Sequence, residues 1–316
     1  MKKSVILFLF FASTVSFGQK KYAKKFNIMN DNDLYVSVVQ DRYYTNGLFL
    51  SYNYVSSKEN EKLHKKIYSI EVAQKMYTPF KANVDFLAQH DRPFAGYLYG
   101  NFGVRNFSKR NTIFEYSGQI GVIGPSALAE EAMSLIHDFY GFDHPIGWKY
   151  QIQNAFALNT NAIFTKNIQS LSSSDFDFNW KSEANLGTVF TDISTGFISR
   201  IGLTPLENIA NSIGFDSNLN NEITKFDNNK EVFFYINPML RWALYDATIQ
   251  GSFLNENNIV TYEIKPIVFS TEVGFRFTSN RFNFKYSVTM HSKKLKSFRV
   301  PGVNFYASLA IGYLFN

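Results

Sequence analysis

A histidine and an aspartate six residues apart are the best candidates for chemistry in this chain of 316 residues. His137 lies within the segment 121–151, and Asp143 follows it. An imidazole beside a carboxylate can take a proton from water while the carboxylate fixes the tautomer and stabilises the imidazolium. The pair therefore predicts general acid–base catalysis, although a lone histidine on the flank of a helix is more often a surface residue.

Four polar residues in a row, Asn30 to Asp33, interrupt an otherwise alternating strand pattern. Clustered Asn and Asp oxygens suit a hard cation, calcium above all, but they also suit magnesium or manganese and are typical of turns. Thr45 and Asn46 follow in the next tight segment and are expected to supply a hydroxyl or an amide to the same site. Together with His137, this set predicts that activated water attacks a metal-polarised carbonyl.

Other function classes have less support. The sequence contains no G-x-S-x-G elbow and no H-E-x-x-H motif, so serine-esterase and zinc-protease chemistry are not indicated. The formal net charge of +6 is not accompanied by a basic, aromatic binding motif. We therefore expect an anionic lipid surface, and no nucleic acid, as the partner.

The segment 121–151 predicts a helix inserted between strands. Ser126 is the expected N-cap, and Gly141 is expected to end the helix. Apolar residues recur between them at helical spacing: Leu128, Ala132, Leu135, Ile136 and Phe139. His137 is expected at the edge of this apolar stripe.

The N-terminus has the pattern of an export signal. Lys2 and Lys3 precede an apolar run, and Ser16-Phe17-Gly18 is a small-x-small cleavage site. We therefore predict a signal peptide over residues 1–18 and one mature domain over 19–316. An exported chain with no cysteine, 33 Phe and 19 Tyr, and no long apolar segment fits an outer-membrane β-barrel.

The strand pattern supports the same fold class: an all-β, antiparallel transmembrane barrel with a short helical insert. The clearest predicted hairpin joins residues 268–277 to 282–290 through Thr278-Ser279-Asn280. The last strand alternates from Val303 to Phe315, near the chain end, which is usual for outer-membrane barrels. Strands of about ten residues leave room for roughly ten to fourteen of them.

Several motifs together resemble a known family. They are NDNDLY, DRYYTNG, the GVIGP turn, and H-x3-G followed by P-x-GW-x2-Q. This set is similar to the outer-membrane lipid A 3′-O-deacylases, the LpxR family. The resemblance implies a barrel of about twelve strands in the outer membrane and calcium-dependent hydrolysis of the ester that holds the 3′-acyloxyacyl group of lipid A.

The resemblance also implies roles for individual residues. The catalytic histidine of the family falls on His137, and its partnering carboxylate falls on Asp143, where a glutamate is common in the family. The hydroxyl of the family falls on Thr45 in DRYYTNG.

The metal-binding pair implied by the resemblance falls on Asn30 and Asp31, with a register uncertain by two residues because the dipeptide repeats. A lysine that some members use toward the substrate falls on Val84, which cannot replace it. Lys81 is the substitute candidate for substrate binding.

The resulting hypothesis is an outer-membrane ester hydrolase that acts as a monomer on lipid A, within lipopolysaccharide and among outer-membrane lipids. Two alternatives stay open. A non-enzymatic barrel, such as a porin or a structural protein, explains the composition equally well but gives the 121–151 insert no role. A barrel phospholipase would share the ester chemistry.

Overall fold

The computed structural model describes residues 21–36, 42–58, 60–81, 83–141 and 143–316. The predicted signal peptide lies outside the described residues. Within these ranges, no helix combines the length and the apolar composition needed to cross a bilayer.

Twelve antiparallel strands form a closed barrel, in which each strand pairs with its neighbours in the sequence and the first pairs with the last. The strands are β1 (Lys24–Asn32), β2 (Tyr43–Val55), β3 (Leu63–Thr78), β4 (Ala95–Ser108), β5 (Thr112–Ile123), β6 (Ala155–Asn167), β7 (Phe176–Gly187), β8 (Phe190–Gly202), β9 (Val232–Asp246), β10 (Ile267–Ser279), β11 (Phe282–Ser292) and β12 (Val303–Phe315). Two helices lie between strands: α1 (Ala129–Tyr140) and α2 (Ala247–Gln250). The fold prediction is confirmed.

The barrel wall has an apolar outside and a polar inside. On β12, Phe305 and Leu309 are exposed on the outer face, whereas Asn304 and Ser308 are buried on the inner face. Successive strand residues point to opposite faces, so the alternation predicted from the sequence becomes an apolar belt around the wall. The predicted hairpin of β10 and β11 is present, with Phe277 paired with Phe284.

The two ends of the barrel differ. One end, the short-turn end, carries the start of β1, the end of β12 and tight connections such as the one between β10 and β11. The other end, the long-loop end, carries the connections 33–42, 79–94, 124–154, 247–266 and 293–302. α1 lies in the third of these, between β5 and β6.

Residues 203–231, between β8 and β9, fold from the short-turn end into the barrel lumen. We call this segment the plug. The Lys65 ammonium, on β3, donates to the carbonyl oxygens of Ser217 and Leu219, each at 2.9 Å. Lys25, on β1, forms an ion pair with Asp216 at 2.7 Å. Inward-facing cations therefore hold the plug across the barrel.

A buried ion-pair network anchors the two ends of the plug. The Arg200 guanidinium, on β8, pairs with Asp177 at 2.5 Å and with Glu231 at 3.0 Å. Ser212, inside the plug, donates to the Glu231 carboxylate at 2.8 Å. Because all these groups are buried and paired, removing one of them would leave an uncompensated charge.

Candidate active site

α1 begins and ends at residues in left-handed conformation. A short 3-10 turn over Pro125–Ala127 comes first, and Leu128, with φ 56°, occupies the N-cap position without a side-chain hydrogen bond. The prediction of Ser126 as the N-cap is wrong, because that turn separates it from the helix and its N–H donates to Asn154 Oδ1. Gly141, with φ 72°, ends the helix as predicted, and its N–H donates to the carbonyl of His137.

The buried face of α1 carries the histidine. Ala129, Met133 and His137 recur every four residues and are 1%, 3% and 6% exposed. Leu135 and Phe139, which the sequence placed in the apolar stripe, are 70% and 83% exposed. The predicted apolar stripe is therefore not the face of α1 that packs against the barrel. His137 lies on the packed face instead.

That face rests on the outside of the barrel wall. Met76, which faces outward from β3, is in one buried cluster with Ala129 and Met133, and the same cluster contains Val84, Phe94 and Trp148. The Gln74 amide, also on β3, donates to the carbonyl of Ala127 at 2.6 Å. α1 consequently covers the outer surface of β3 and β4 at the long-loop end.

Asp143 contacts the imidazole through its main chain. His137 Nδ1 lies 2.5 Å from the carbonyl oxygen of Asp143, and the Asp143 side chain is exposed. A carbonyl oxygen only accepts hydrogen bonds, so we infer that Nδ1 carries the proton and that Nε2 is the basic nitrogen. The two residues are therefore close together in the structure. The main-chain carbonyl of Asp143 occupies the position that was expected for its carboxylate.

Asn30 faces the outside of the wall, in line with the exposed Phe26 and Ile28. Its amide donates to Asn46 Oδ1 at 3.3 Å and to the carbonyl of Gly47 at 3.0 Å. The Tyr35 hydroxyl donates to Asn30 Oδ1 at 2.6 Å. The structure thus joins Asn30 to the DRYYTNG segment.

Asp31 faces the lumen instead. Its carboxylate accepts hydrogen bonds from the hydroxyls of Tyr44, at 2.8 Å, and Ser308, at 2.6 Å. Because consecutive strand residues point to opposite faces, the side chains of Asn30 and Asp31 are on opposite sides of the wall. The structure does not bring these two side chains together.

Thr45 is the extra residue of a β-bulge between β2 and β3, where the register shifts between Tyr44 and Asn46. Its hydroxyl lies 2.5 Å from that of Thr78, and both residues are buried. Thr78 shares the strand face of Met76, so the two hydroxyls are on the outer side of the wall, as Asn30 is. Bulges commonly re-aim side chains in this way near functional sites.

An electrostatic interaction between two phenols links the Asn30 group to the end of α1. Burial raises the pKa of Tyr35, and the nearby phenol of Tyr140 adds to the shift. Since Tyr35 binds Asn30 and Tyr140 follows His137 by three residues, the outer-wall amides lie near the helix end that carries the imidazole. Neither Tyr35 nor Thr78 has a distinct signal in the sequence, because their roles depend on strand pairing.

Lys81 lies in the connection between β3 and β4 and is exposed. Its ammonium lies 5.5 Å from the ring centre of Phe80, and it lines a cavity of about 440 Å³ together with Arg42 and Arg299. Val84 is fully buried under α1, which fits the expectation that it makes no polar contact with a substrate. Among the residues that the structure describes, no three His, Cys, Asp or Glu side chains form a metal-binding group.

Comparison with known proteins places this barrel in a family. The sequence model described as outer membrane protein LpxR matches residues 4–315. The chain belongs to the LpxR family. No curated protein matches its sequence. The long-loop end of this LpxR-family barrel, with α1, is therefore the end expected outside the cell, since outer-membrane barrels have short periplasmic turns.

Solved structures agree on the fold. LpxR from Salmonella typhimurium superposes with a TM-score of 0.72 at 20% sequence identity, covering 92% of this chain and 100% of that chain. The β domain of the Bordetella autotransporter BrkA superposes with a TM-score of 0.48 at 7% identity, covering 94% of this chain and 99% of that chain. The first comparison shows that this chain shares its barrel fold with that protein.

Proposed function

We propose that this protein is an outer-membrane ester hydrolase that removes the 3′-acyloxyacyl group of lipid A. The observation that carries the proposal is the position of His137, which is buried between α1 and the outer face of the barrel wall. An imidazole at that place faces the side from which lipid reaches the protein. Membership in the LpxR family supports the same substrate class.

His137 acts as the general base in this proposal. The carbonyl of Asp143 holds Nδ1–H, so Nε2 takes a proton from water as the water oxygen attacks the ester carbonyl carbon. When the tetrahedral intermediate collapses, the bond to the sugar oxygen breaks, and the imidazolium returns the proton to that oxygen. Asp143 is thus a positioning residue that acts through its main chain.

Thr45 is proposed to stabilise the developing oxyanion. Its hydroxyl, paired with that of Thr78, is held on the outer wall by the bulge, so it is oriented before the substrate arrives. Donors that are already oriented stabilise the charge of the transition state without reorganisation.

Calcium belongs to the proposal as the cofactor. The outer face offers amide and hydroxyl oxygens from Asn30, Asn46 and Thr45, and these are the hard donors that calcium takes. Asn30 would hold the ion directly, whereas Asp31, through Tyr44 and Ser308, would hold the strand that presents Asn30. Bound calcium would polarise the ester carbonyl.

Lys81 is proposed as a substrate contact. It is an exposed cation in the connection that also contains Val84, and Asn83 forms a parallel β-bridge with Ile146, three residues after Asp143. This bridge places the lysine-bearing connection beside the loop that holds His137. A lysine there suits an anionic group of the lipid headgroup.

The test is mass spectrometry of lipid A after incubation with detergent-folded protein, with added calcium and with a chelator. We expect calcium-dependent loss of the 3′-linked acyloxyacyl mass, and no loss with His137→Ala, whose barrel should still show heat-modifiable migration. Unchanged lipid A with folded, calcium-loaded protein would overturn the proposal. Hydrolysis of phospholipid alone would favour the phospholipase, and solute flux in liposomes would favour the porin.

A further inference from the structure

α1 has three different faces along its length. Each residue of an α-helix turns about 100° from the previous one, so Ala129, Met133 and His137 share one face. This wall face packs on the barrel and is buried. The other two faces point away from the wall, and they differ sharply in polarity.

One of these faces is apolar and exposed. Leu135 and Phe139, one helical turn apart, are among the most exposed large apolar side chains of the protein. Tyr140 is also exposed, and its ring lies 5.2 Å from that of Phe139 in an edge-on arrangement. We call Leu135 and Phe139 the apolar edge of α1. In contact with water, such a group of large side chains is unfavourable.

The remaining face is acidic. Glu130 and Asp138 are exposed on it, and Ser134 lies between them. On a helical projection Glu130, Ser134 and Asp138 lie on the other side of the wall face from the apolar edge, whereas Glu131 lies one turn from Leu135. We call Glu130 and Asp138 the acidic edge. A helix with one apolar and one acidic edge has the side-chain distribution of a helix at a boundary between apolar and aqueous surroundings.

The position of α1 on the barrel supplies the apolar surroundings. The helix packs on the outer surface of β3 and β4, where Val72 and Phe102 are exposed farther along the wall. These belong to the apolar belt of a wall that lies in the outer membrane. The apolar edge therefore continues a lipid-facing surface, which identifies acyl chains as the occupant.

We propose that α1 is an interfacial helix of the outer leaflet, with Leu135 and Phe139 among the acyl chains and with Glu130 and Asp138 in water. This inference rests on the fold and on the exposure of the side chains, and it stands whether or not the protein is a hydrolase. If the protein is a hydrolase, the helix holds His137 at the depth where sugar esters meet acyl chains.

The absence of cysteine allows a direct test. Single variants Leu135→Cys, Phe139→Cys, Glu130→Cys and Asp138→Cys, each carrying a nitroxide, are reconstituted in phosphatidylcholine vesicles. Labels at 135 and 139 should collide more with oxygen, which concentrates in lipid. Labels at 130 and 138 should collide more with a water-soluble nickel chelate. Heat-modifiable migration checks that every variant is folded.

Two results would overturn the inference. The first is equal nickel accessibility at all four positions, which would place the apolar edge in water. The second is spin–spin broadening at 139 in dilute vesicles, which would mean that a second copy of the chain covers the edge. Neither readout depends on hydrolysis, so failure of this inference and failure of the proposed activity can be told apart.

Activity gives a second measurement. The double variant Leu135→Gln/Phe139→Gln should hydrolyse lipid A in vesicles about tenfold more slowly than the unmodified protein. In detergent micelles its rate should fall by less than about twofold, because lipid reaches the site there without insertion of the helix. The matched control, Glu130→Gln/Asp138→Asn, should behave as the unmodified protein in both. An equal loss in vesicles and micelles for the first pair would contradict docking of the apolar edge in lipid.

Discussion

Asp143 holds His137 by a main-chain carbonyl, and every residue type at position 143 keeps that group. The sequence could place the two residues close together, because a C-terminal glycine turns the chain back after α1. It could not show which oxygen of Asp143 reaches the imidazole, since that depends on the path of the loop.

This difference gives a prediction at the residue scale. Asp143→Asn should hydrolyse lipid A at a rate within about tenfold of the unmodified protein, because the main-chain carbonyl still fixes the tautomer of His137. In enzymes where a carboxylate fixes the tautomer, the same substitution lowers the rate by about 10⁴-fold. His137→Gln should abolish activity. The measurement is the initial rate by mass spectrometry, and a loss of several thousandfold for Asp143→Asn would assign the role to the carboxylate.

Asn30 and Asp31 are neighbours in sequence but lie on opposite faces of the wall. Substitutions at the two positions should therefore affect different properties, calcium dependence in one case and stability in the other. Asn30→Ala should raise the calcium concentration needed for half-maximal activity by about tenfold or more, because it removes an outer-face oxygen. Asp31→Asn should mainly lower the temperature at which heat-modifiable migration is lost, since a carboxylate that accepts from Tyr44 and Ser308 stabilises by about 1.5–3 kcal/mol per bond. Equal shifts in calcium dependence would mean that both residues bind the ion.

At the scale of elements, the strands were predictable and the helix only partly so. A barrel strand alternates with a strict period of two, which the sequence displays directly, as in β12. A helix on a lipid-facing wall has apolar residues on two faces. The larger apolar side chains, Leu135 and Phe139, dominate the helical periodicity of the sequence. The packed face holds a histidine, so periodicity assigned the wrong face to the wall.

Two glycines of the β5–β6 connection provide a matched pair of variants. Both have positive φ, Gly141 at 72° and Gly147 at 112°, but a Cβ at 141 would meet nothing within 4 Å, whereas one at 147 would lie 2.2 Å from the carbonyl oxygen of Val84. Gly141→Ala should cost only the left-handed strain, about 1–2 kcal/mol. Gly147→Ala should also displace the loop from the connection between β3 and β4.

The readouts for this pair are limited proteolysis of residues 124–154 and the hydrolysis rate. Gly147→Ala should be cleaved faster and lose about tenfold or more in rate, and Gly141→Ala should stay within about threefold, because the strain alone leaves the helix packed on Met76. The melting of the barrel should be the same in both. Equal behaviour of the two variants would mean that the contact with Val84 does not support the helix.

At the scale of the whole molecule, the plug is the feature that the sequence did not reveal. Residues 203–231 contain seven asparagines, a composition typical of exposed loops. Polar residues are usually exposed to water, but inside a barrel they can be buried, because the wall of the lumen is itself polar. Asn211, Asn218 and Asn220 are accordingly buried. Asn218 donates to Asn283 on β11, and Asn220 Oδ1 accepts from Lys65 on β3, so the closed wall supplies these two partners. Asn211 donates to the carbonyl of Asp227 within the plug.

The plug and the candidate active site lie at opposite ends of the barrel, so their functions should separate. Gly202 pairs with Phe233, so a short turn can replace residues 204–230 without opening the sheet. The cations that the plug engages, such as Lys65 and Lys25, would then face water rather than apolar surroundings, and the strand pairing that closes the wall is unchanged. The shortened barrel should therefore fold, let arabinose enter liposomes in a swelling assay, and still hydrolyse lipid A, whereas the intact barrel should admit no sugar. Swelling of liposomes that contain the intact protein would support the hypothesis that the protein is a porin. Loss of hydrolysis by a folded, shortened barrel would show that the plug stabilises the active site from the opposite end of the barrel.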